Sequence, residues 1–155
     1  MKDLVSKLSE LKKTIATMES CTGGGIVNAI TNIEGASDVL KYSAVTYANE
    51  YKIKMGVSKD IIDKYSVYSM ETACEMSRNI SLFADSDFGV GVTGKLGRVD
   101  KNNLIGNDNT VYISVYDKNV NKYYNATVIV DRESREENKR MIIDKVEEMI
   151  MMIIS

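Results

Sequence analysis

The sequence predicts an α/β protein, a three-layer α/β/α sandwich over a mixed, roughly five-stranded sheet, and three observations carry that reading. Apolar residues switch repeatedly between helical and strand spacing along the chain. A run of glycines, Gly23-Gly24-Gly25, joins a strand-like segment to a helix-like one. The last two strand-like segments read as a hairpin that precedes a long amphipathic helix.

Taken in order, Leu4, Val5, Leu8 and Leu11 recur at helical spacing and predict a first helix ending near Lys13. Residues 14–18 read as a short strand. After the glycines, Ile26, Val27, Ile30 and Ile33 restart the 3.6-residue period. From Asp38 to Tyr47, Leu40, Tyr42 and Ala44 alternate with Lys41, Ser43 and Val45, as in a strand with one better-buried face. Three helical pieces follow: a polar one over 49–55 stopped at Gly56, one capped by Ser58 and carrying Ile61, Ile62 and Tyr65, and a longer one capped by Ser69 with Ala73, Met76, Ile80 and Phe83. Phe88, Val90 and Val92 alternate with Gly89 and Gly91, which marks a strand whose glycine face something must approach closely. Val111 to Val115 and Tyr124 to Val130 form the hairpin, joined across 117–122. The last helix starts at Asp131 or Ser134, with Ile142, Val146, Met149, Ile150 and Ile153 as its core stripe.

A chain of 155 residues suits one domain, 1–155, with a single core. Twenty basic against twenty-two acidic side chains give a net charge of −2, so no global field favours nucleic acid. The N-terminal stretch lacks an apolar core of signal-peptide type, and the apolar run 149–154 is too short to span a bilayer, which predicts a cytoplasmic protein without membrane partners. Cys21 and Cys74 are too few for a disulfide framework and read as reduced thiols. The sequence contains no histidine, so neither a Ser-His nor a Cys-His pair can be built from it. Acid–base chemistry near neutral pH falls to lysine, tyrosine, cysteine or carboxylates.

Ser20-Cys21-Thr22-Gly23-Gly24-Gly25 lies at a strand end and a helix start, where α/β proteins place ligands. Glycines there admit close approach, and the amides at the turn suit either a phosphate or a developing oxyanion. A phosphate-cradling turn, a structural turn and a nucleophile turn all fit. Ser20 and Cys21 are adjacent candidate nucleophiles pointing in different directions; without a histidine partner, Cys21 reads as packing. A serine nucleophile would need a lysine base, with its pKa brought from about 10.4 toward roughly 7 to 8 by burial or a neighbouring cation. Composition alone does not single out Lys52, nor lift Tyr47 or Thr93 above strand-end residues. Arg132, at the start of the last helix, is placed to reach an anionic ligand. The apolar last helix and the tyrosine-bearing strands leave material for a homo-oligomer interface.

The ordered motifs Glu19-Ser20-Cys21-Thr22-Gly23-Gly24, Glu34-Gly35-Ala36-Ser37, Tyr47-Ala48-Asn49-Glu50 with Lys52, Gly56-Val57, 67–69, Val92-Thr93-Gly94 and Asp131-Arg132-Glu133 resemble the C-terminal domain of the CinA competence/damage-inducible family. The likeness extends over most of the chain. Stand-alone members of that family include nicotinamide mononucleotide deamidases. The resemblance implies a small-molecule nucleotide substrate, hydrolysis of its carboxamide to ammonia and nicotinate mononucleotide, and no metal or cofactor. It places Ser20 as nucleophile and Lys52 as base, with Tyr47 and Thr93 lining the site. Substrate contacts would come from Cys21, Thr22, Gly23, Gly24, Gly94 and Arg132. After Gly94 the chain departs from the family's proline- and glycine-rich loop and carries residues 95–103 instead, where Arg98 and Lys101 are candidate phosphate contacts. Two other expectations stand beside the hydrolase: a nucleotide-binding protein of the same fold without turnover, and an interaction protein of competence or DNA-damage physiology.

Overall fold

A computed structural model of the chain describes residues 1–97 and 106–155. In chain order the elements are α1 (Lys2–Glu10), β1 (Ile15–Glu19), α2 (Gly25–Thr31), a 3-10 turn (Ala36–Asp38), β2 (Leu40–Val45), α3 (Asn49–Lys54), α4 (Lys59–Tyr65), α5 (Met70–Ala84), β3 (Phe88–Gly94), β4 (Thr110–Asp117), β5 (Lys122–Ile129) and α6 (Arg135–Ile154). The strands form one mixed sheet in the order β2-β1-β3-β4-β5. β1 runs parallel to β2 and β3, and β3, β4 and β5 pair antiparallel in turn. The α/β/α expectation holds.

Two apolar clusters explain the layering. Leu4, Leu8, Ile26, Ile30, Ile142, Val146 and Ile150 from α1, α2 and α6 pack with Ile15, Val90, Val92 and Ile113 on one face of the sheet. On the other face Met76 and Ile80 of α5 meet Ala16 and Met18 of β1. Successive side chains of a strand alternate between faces, so one strand feeds both cores. The glycine face of β3 is used as its alternation predicts. A Cβ at Gly89 would collide with the Ser77 carbonyl and one at Gly91 with the Ala73 carbonyl, so α5 lies with its backbone directly on the strand.

Local signals set the helix starts. Ser58, Ser69 and Ser134 each accept a bond from an amide in the first turn of their helices, and Ser134 with Glu137 completes a capping box. Two expectations shift. α1 stops at Glu10 rather than near Lys13, because Lys12 takes a left-handed conformation with φ 54°. The alternating burial expected in β2 is not realised: β2 is a sheet edge, Tyr42 is exposed, and its ring packs on exposed Phe83 of α5 at 5.2 Å between centroids. Phe83 therefore lies outside the α5 core stripe. Among the described residues no helix is long and apolar enough to cross a membrane.

Candidate active site

The parallel strands β2, β1 and β3 end side by side, and the chain leaving each carries a residue of interest. Glu19 pairs with Val45 on one side and Val92 on the other. The ladder runs one residue further, with the Ser20 amide donating to the Val92 carbonyl at 3.0 Å and the Thr46 amide to the Glu19 carbonyl at 2.8 Å. Ser20 thus continues the face of Ala16 and Met18, toward α5, and Thr93 stands beside it on β3. The Thr93 hydroxyl is buried and donates to the Val67 carbonyl at 2.8 Å, tying the strand end to the start of α5.

Beyond β2 the chain turns at 46–48 into the short helix α3, whose one buried residue is Lys52. Its side chain points back beneath the strand ends. The Lys52 Nζ lies 3.0 Å from Ser20 Oγ and donates to the carbonyls of Thr46 at 2.7 Å and Tyr47 at 3.4 Å. Lys52 is 1% exposed and Ser20 7%. With two N–H directions held by carbonyls, a tetrahedral nitrogen presents a further direction to the serine oxygen, by a proton when charged and by its lone pair when neutral.

Glu19, which sequence reasoning treated only as part of a motif, is the buried support of this arrangement. Its Oε1 accepts from Thr22 Oγ1 at 2.6 Å and the Ile26 amide at 2.9 Å, and its Oε2 from the Val27 amide at 2.9 Å. The carboxylate occupies the first amides of α2, where a phosphate cradle would hold its anion. That occupation removes the phosphate cradle at these amides and leaves a structural turn or a nucleophile turn. With Thr17 Oγ1 donating to Oε2 at 3.4 Å, this fully buried carboxylate accepts four bonds, yet it was legible only as a glutamate at a strand end.

The remaining expected residues take distinct places. Gly23 (φ 61°) and Gly24 (φ 94°) both use left-handed backbone, which favours glycine. The Gly23 amide is engaged within the turn, donating to the Ser20 carbonyl at 2.9 Å. Among the described residues no carbonyl takes the amides of Cys21 or Thr22. Cys21 is buried in the α1/α2/α6 core, and burial pushes its thiol up to about 12 against the opposing pull of the Lys52 and Arg135 charges. Tyr47 is 62% exposed, and what ties it to Lys52 is its carbonyl rather than its ring. Gly94 ends β3, where a Cβ would press on the Thr110 carbonyl and Val111. Arg132 is exposed, 3.7 Å from Asp131, and its amide donates to the buried Asn138 side chain at 2.9 Å. Arg98 and Lys101 lie outside the described residues.

Fold and site together define an α/β/α domain with a buried serine–lysine pair at the carboxyl edge of its sheet. The chain belongs to the CinA C-terminal domain family, which matches it over residues 1–153. It is 44% identical over 99 residues, 63% of this chain, to a competence-damage inducible protein of Caldanaerobacter subterraneus, and 42% identical over 114 residues, 72% of this chain, to a CinA-like protein of Endomicrobium trichonymphae. The chain spans about a quarter of the length of these curated relatives, 24% and 26%. Among solved structures it resembles the competence/damage inducible protein CihA from Agrobacterium tumefaciens, with a TM-score of 0.88, 26% identity, and coverage of 99% of this chain and 92% of that one. A CinA superfamily protein from Escherichia coli shares the fold at TM-score 0.87 and 23% identity, over 98% and 87% of the two chains.

Proposed function

We propose that the chain is an amidohydrolase that deamidates nicotinamide mononucleotide to nicotinate mononucleotide and ammonia, serving pyridine nucleotide salvage in the cytoplasm. The observation that carries this reading is the 3.0 Å contact between Lys52 Nζ and Ser20 Oγ, with both residues buried. At that distance the amine can exchange a proton with the serine hydroxyl directly.

In the proposed reaction Ser20 Oγ attacks the carboxamide carbon and its proton passes to Lys52 Nζ. The amides of Cys21 and Thr22 face the tetrahedral oxyanion. The Lys52 ammonium then gives its proton to the amide nitrogen, the C–N bond breaks, and ammonia leaves an acyl ester on Ser20. Water, losing a proton to Lys52, attacks that ester; the acyl bond breaks and Ser20 regains its proton. Exposed Tyr47, with Val45 close to Gly24, offers an apolar wall for the pyridine ring. Thr93 holds the strand end that flanks Ser20.

Ammonia release from nicotinamide mononucleotide by the purified protein tests the reading. Turnover that falls by roughly 10³-fold or more in Ser20→Ala and in Lys52→Met, with both variants folded, is the expected result. Calorimetric binding of the nucleotide with no ammonia released would replace it with the binding-protein reading.

A further inference from the structure

The glycine turn leaves no place for a substrate anion at the start of α2, because the Glu19 carboxylate already accepts from the Ile26 and Val27 amides. A phosphate brought there would meet a buried negative charge. Helix α6 brings a cation to the same turn. Lys139 Nζ lies 3.4 Å from the position a Cβ would take at Gly23. Gly23 is in the same tight turn as the nucleophile, its amide bonded to the Ser20 carbonyl at 2.9 Å. The ammonium therefore stands at the corner of the turn, on the side where a side chain at Gly23 would project.

What sets Lys139 apart is its place, half-buried against the glycine turn, where many lysines of the chain are exposed. Lys7, Lys59, Lys118 and Lys145 each pair with a neighbouring carboxylate. Lys139 is half-buried, and among the described residues no carboxylate lies within ion-pairing distance of it. Arg135 stands one helical turn earlier on the same α6 face, and its charge is among those that act on Cys21. Two cations thus overlook the turn from α6, beside a short stretch of backbone without side chains. Arg132, the residue expected from sequence to meet an anion, instead lies exposed beside Asp131.

We propose that Lys139 is the specificity residue that receives the substrate's anionic group, a phosphate monoester, against the Gly23 corner of the turn. The assignment rests on the amidohydrolase reading for the identity of the reacting atoms. It requires the phosphate-bearing end of the substrate to extend from Ser20 across Gly23 toward α6. A cation in that position acts on the ground state and the transition state alike, so it sets KM rather than kcat.

The test compares nicotinamide mononucleotide with nicotinamide riboside, which lacks the phosphate, in wild type, Lys139→Gln, Lys139→Arg and, as a control, Lys145→Gln. Lys139→Gln is expected to raise KM for the mononucleotide about ten- to a hundredfold, with kcat within about threefold and riboside kinetics unchanged. Lys139→Arg restores most of the loss, and Lys145→Gln behaves as wild type. An unchanged KM for the mononucleotide in Lys139→Gln, or an equal rise for the riboside, overturns the assignment while leaving the amidohydrolase reading intact. If the wild type releases no ammonia from either compound, that reading fails instead, and calorimetric titration with the mononucleotide decides the inference. Binding weakened about tenfold or more by Lys139→Gln upholds it, and equal binding or none in the wild type overturns it.

Discussion

The Glu19 carboxylate and the Thr22 hydroxyl meet at 2.6 Å beneath the turn that carries Ser20. The same carboxylate holds two amides of α2, so one buried side chain joins the end of β1, the turn and the helix that follows. The position of the serine hydroxyl is therefore set from below, by a charge that never contacts it.

Replacing Glu19 tests this directly. Glu19→Gln keeps the shape but turns one acceptor into a donor facing donors, and Glu19→Ala leaves the amides and Thr22 without a partner. Each should lower stability by about 2 kcal/mol or more in urea denaturation. Turnover and nucleotide affinity should both fall, since the turn that carries Ser20 also forms part of the ligand surface. Equal stability in wild type and Glu19→Gln would contradict the role.

Cys21 should be chemically silent. With its thiol pushed up to about 12, almost no thiolate exists at pH 8, and alkylation by iodoacetamide should follow unfolding rather than precede it. The raised value also fixes the sign of a pH effect. The native thiol stays neutral while the unfolded thiol ionises above its ordinary 9.0, so this group's contribution is intact below pH 9 and is lost as pH rises toward about 12. Cys21→Ala should keep turnover within about threefold and weaken that alkaline decline. Loss of activity in Cys21→Ala comparable with Ser20→Ala would transfer the nucleophile to the thiol.

Gly91→Ala should be severely destabilising. The added methyl falls on the Ala73 carbonyl and against Met76, in a contact between strand and helix backbones that has no flexible side chain to yield. A loss of about 3 kcal/mol or more is expected from chemical denaturation. Because Thr93 lies two residues along the same strand, any folded variant should also lose turnover. A fully stable Gly91→Ala would show that α5 does not rest on β3 as described.

Much of this was legible in the sequence because it depends on local rules. The Gly89/Gly91 alternation announced the close approach of α5, and Ser58, Ser69 and Ser134 marked helix starts by their capping chemistry. Ser20 was visible as a hydroxyl at a glycine turn. What the chain concealed depends on contacts between distant segments. Lys52 was one lysine among many until α3 folded it back under the strand ends, and the family resemblance rather than its spacing singled it out. Glu19 and Lys139 carry no local signature of their places, since one meets amides seven and eight residues on and the other lies against the turn from α6. The alternation in β2 misled because it describes a strand covered on one whole face, whereas β2 is an edge strand whose Tyr42 packs on exposed Phe83.

In the proposed reaction the Lys52 amine makes the Ser20 hydroxyl nucleophilic, and labelling with a serine-directed sulfonyl fluoride measures this without any substrate. Peptide mass spectrometry should find the sulfonyl adduct on Ser20 in the wild type, with the labelling rate reduced roughly a hundredfold or more in folded Lys52→Met. Equal labelling of Ser20 in the two proteins, or no label on Ser20 in either, would contradict it.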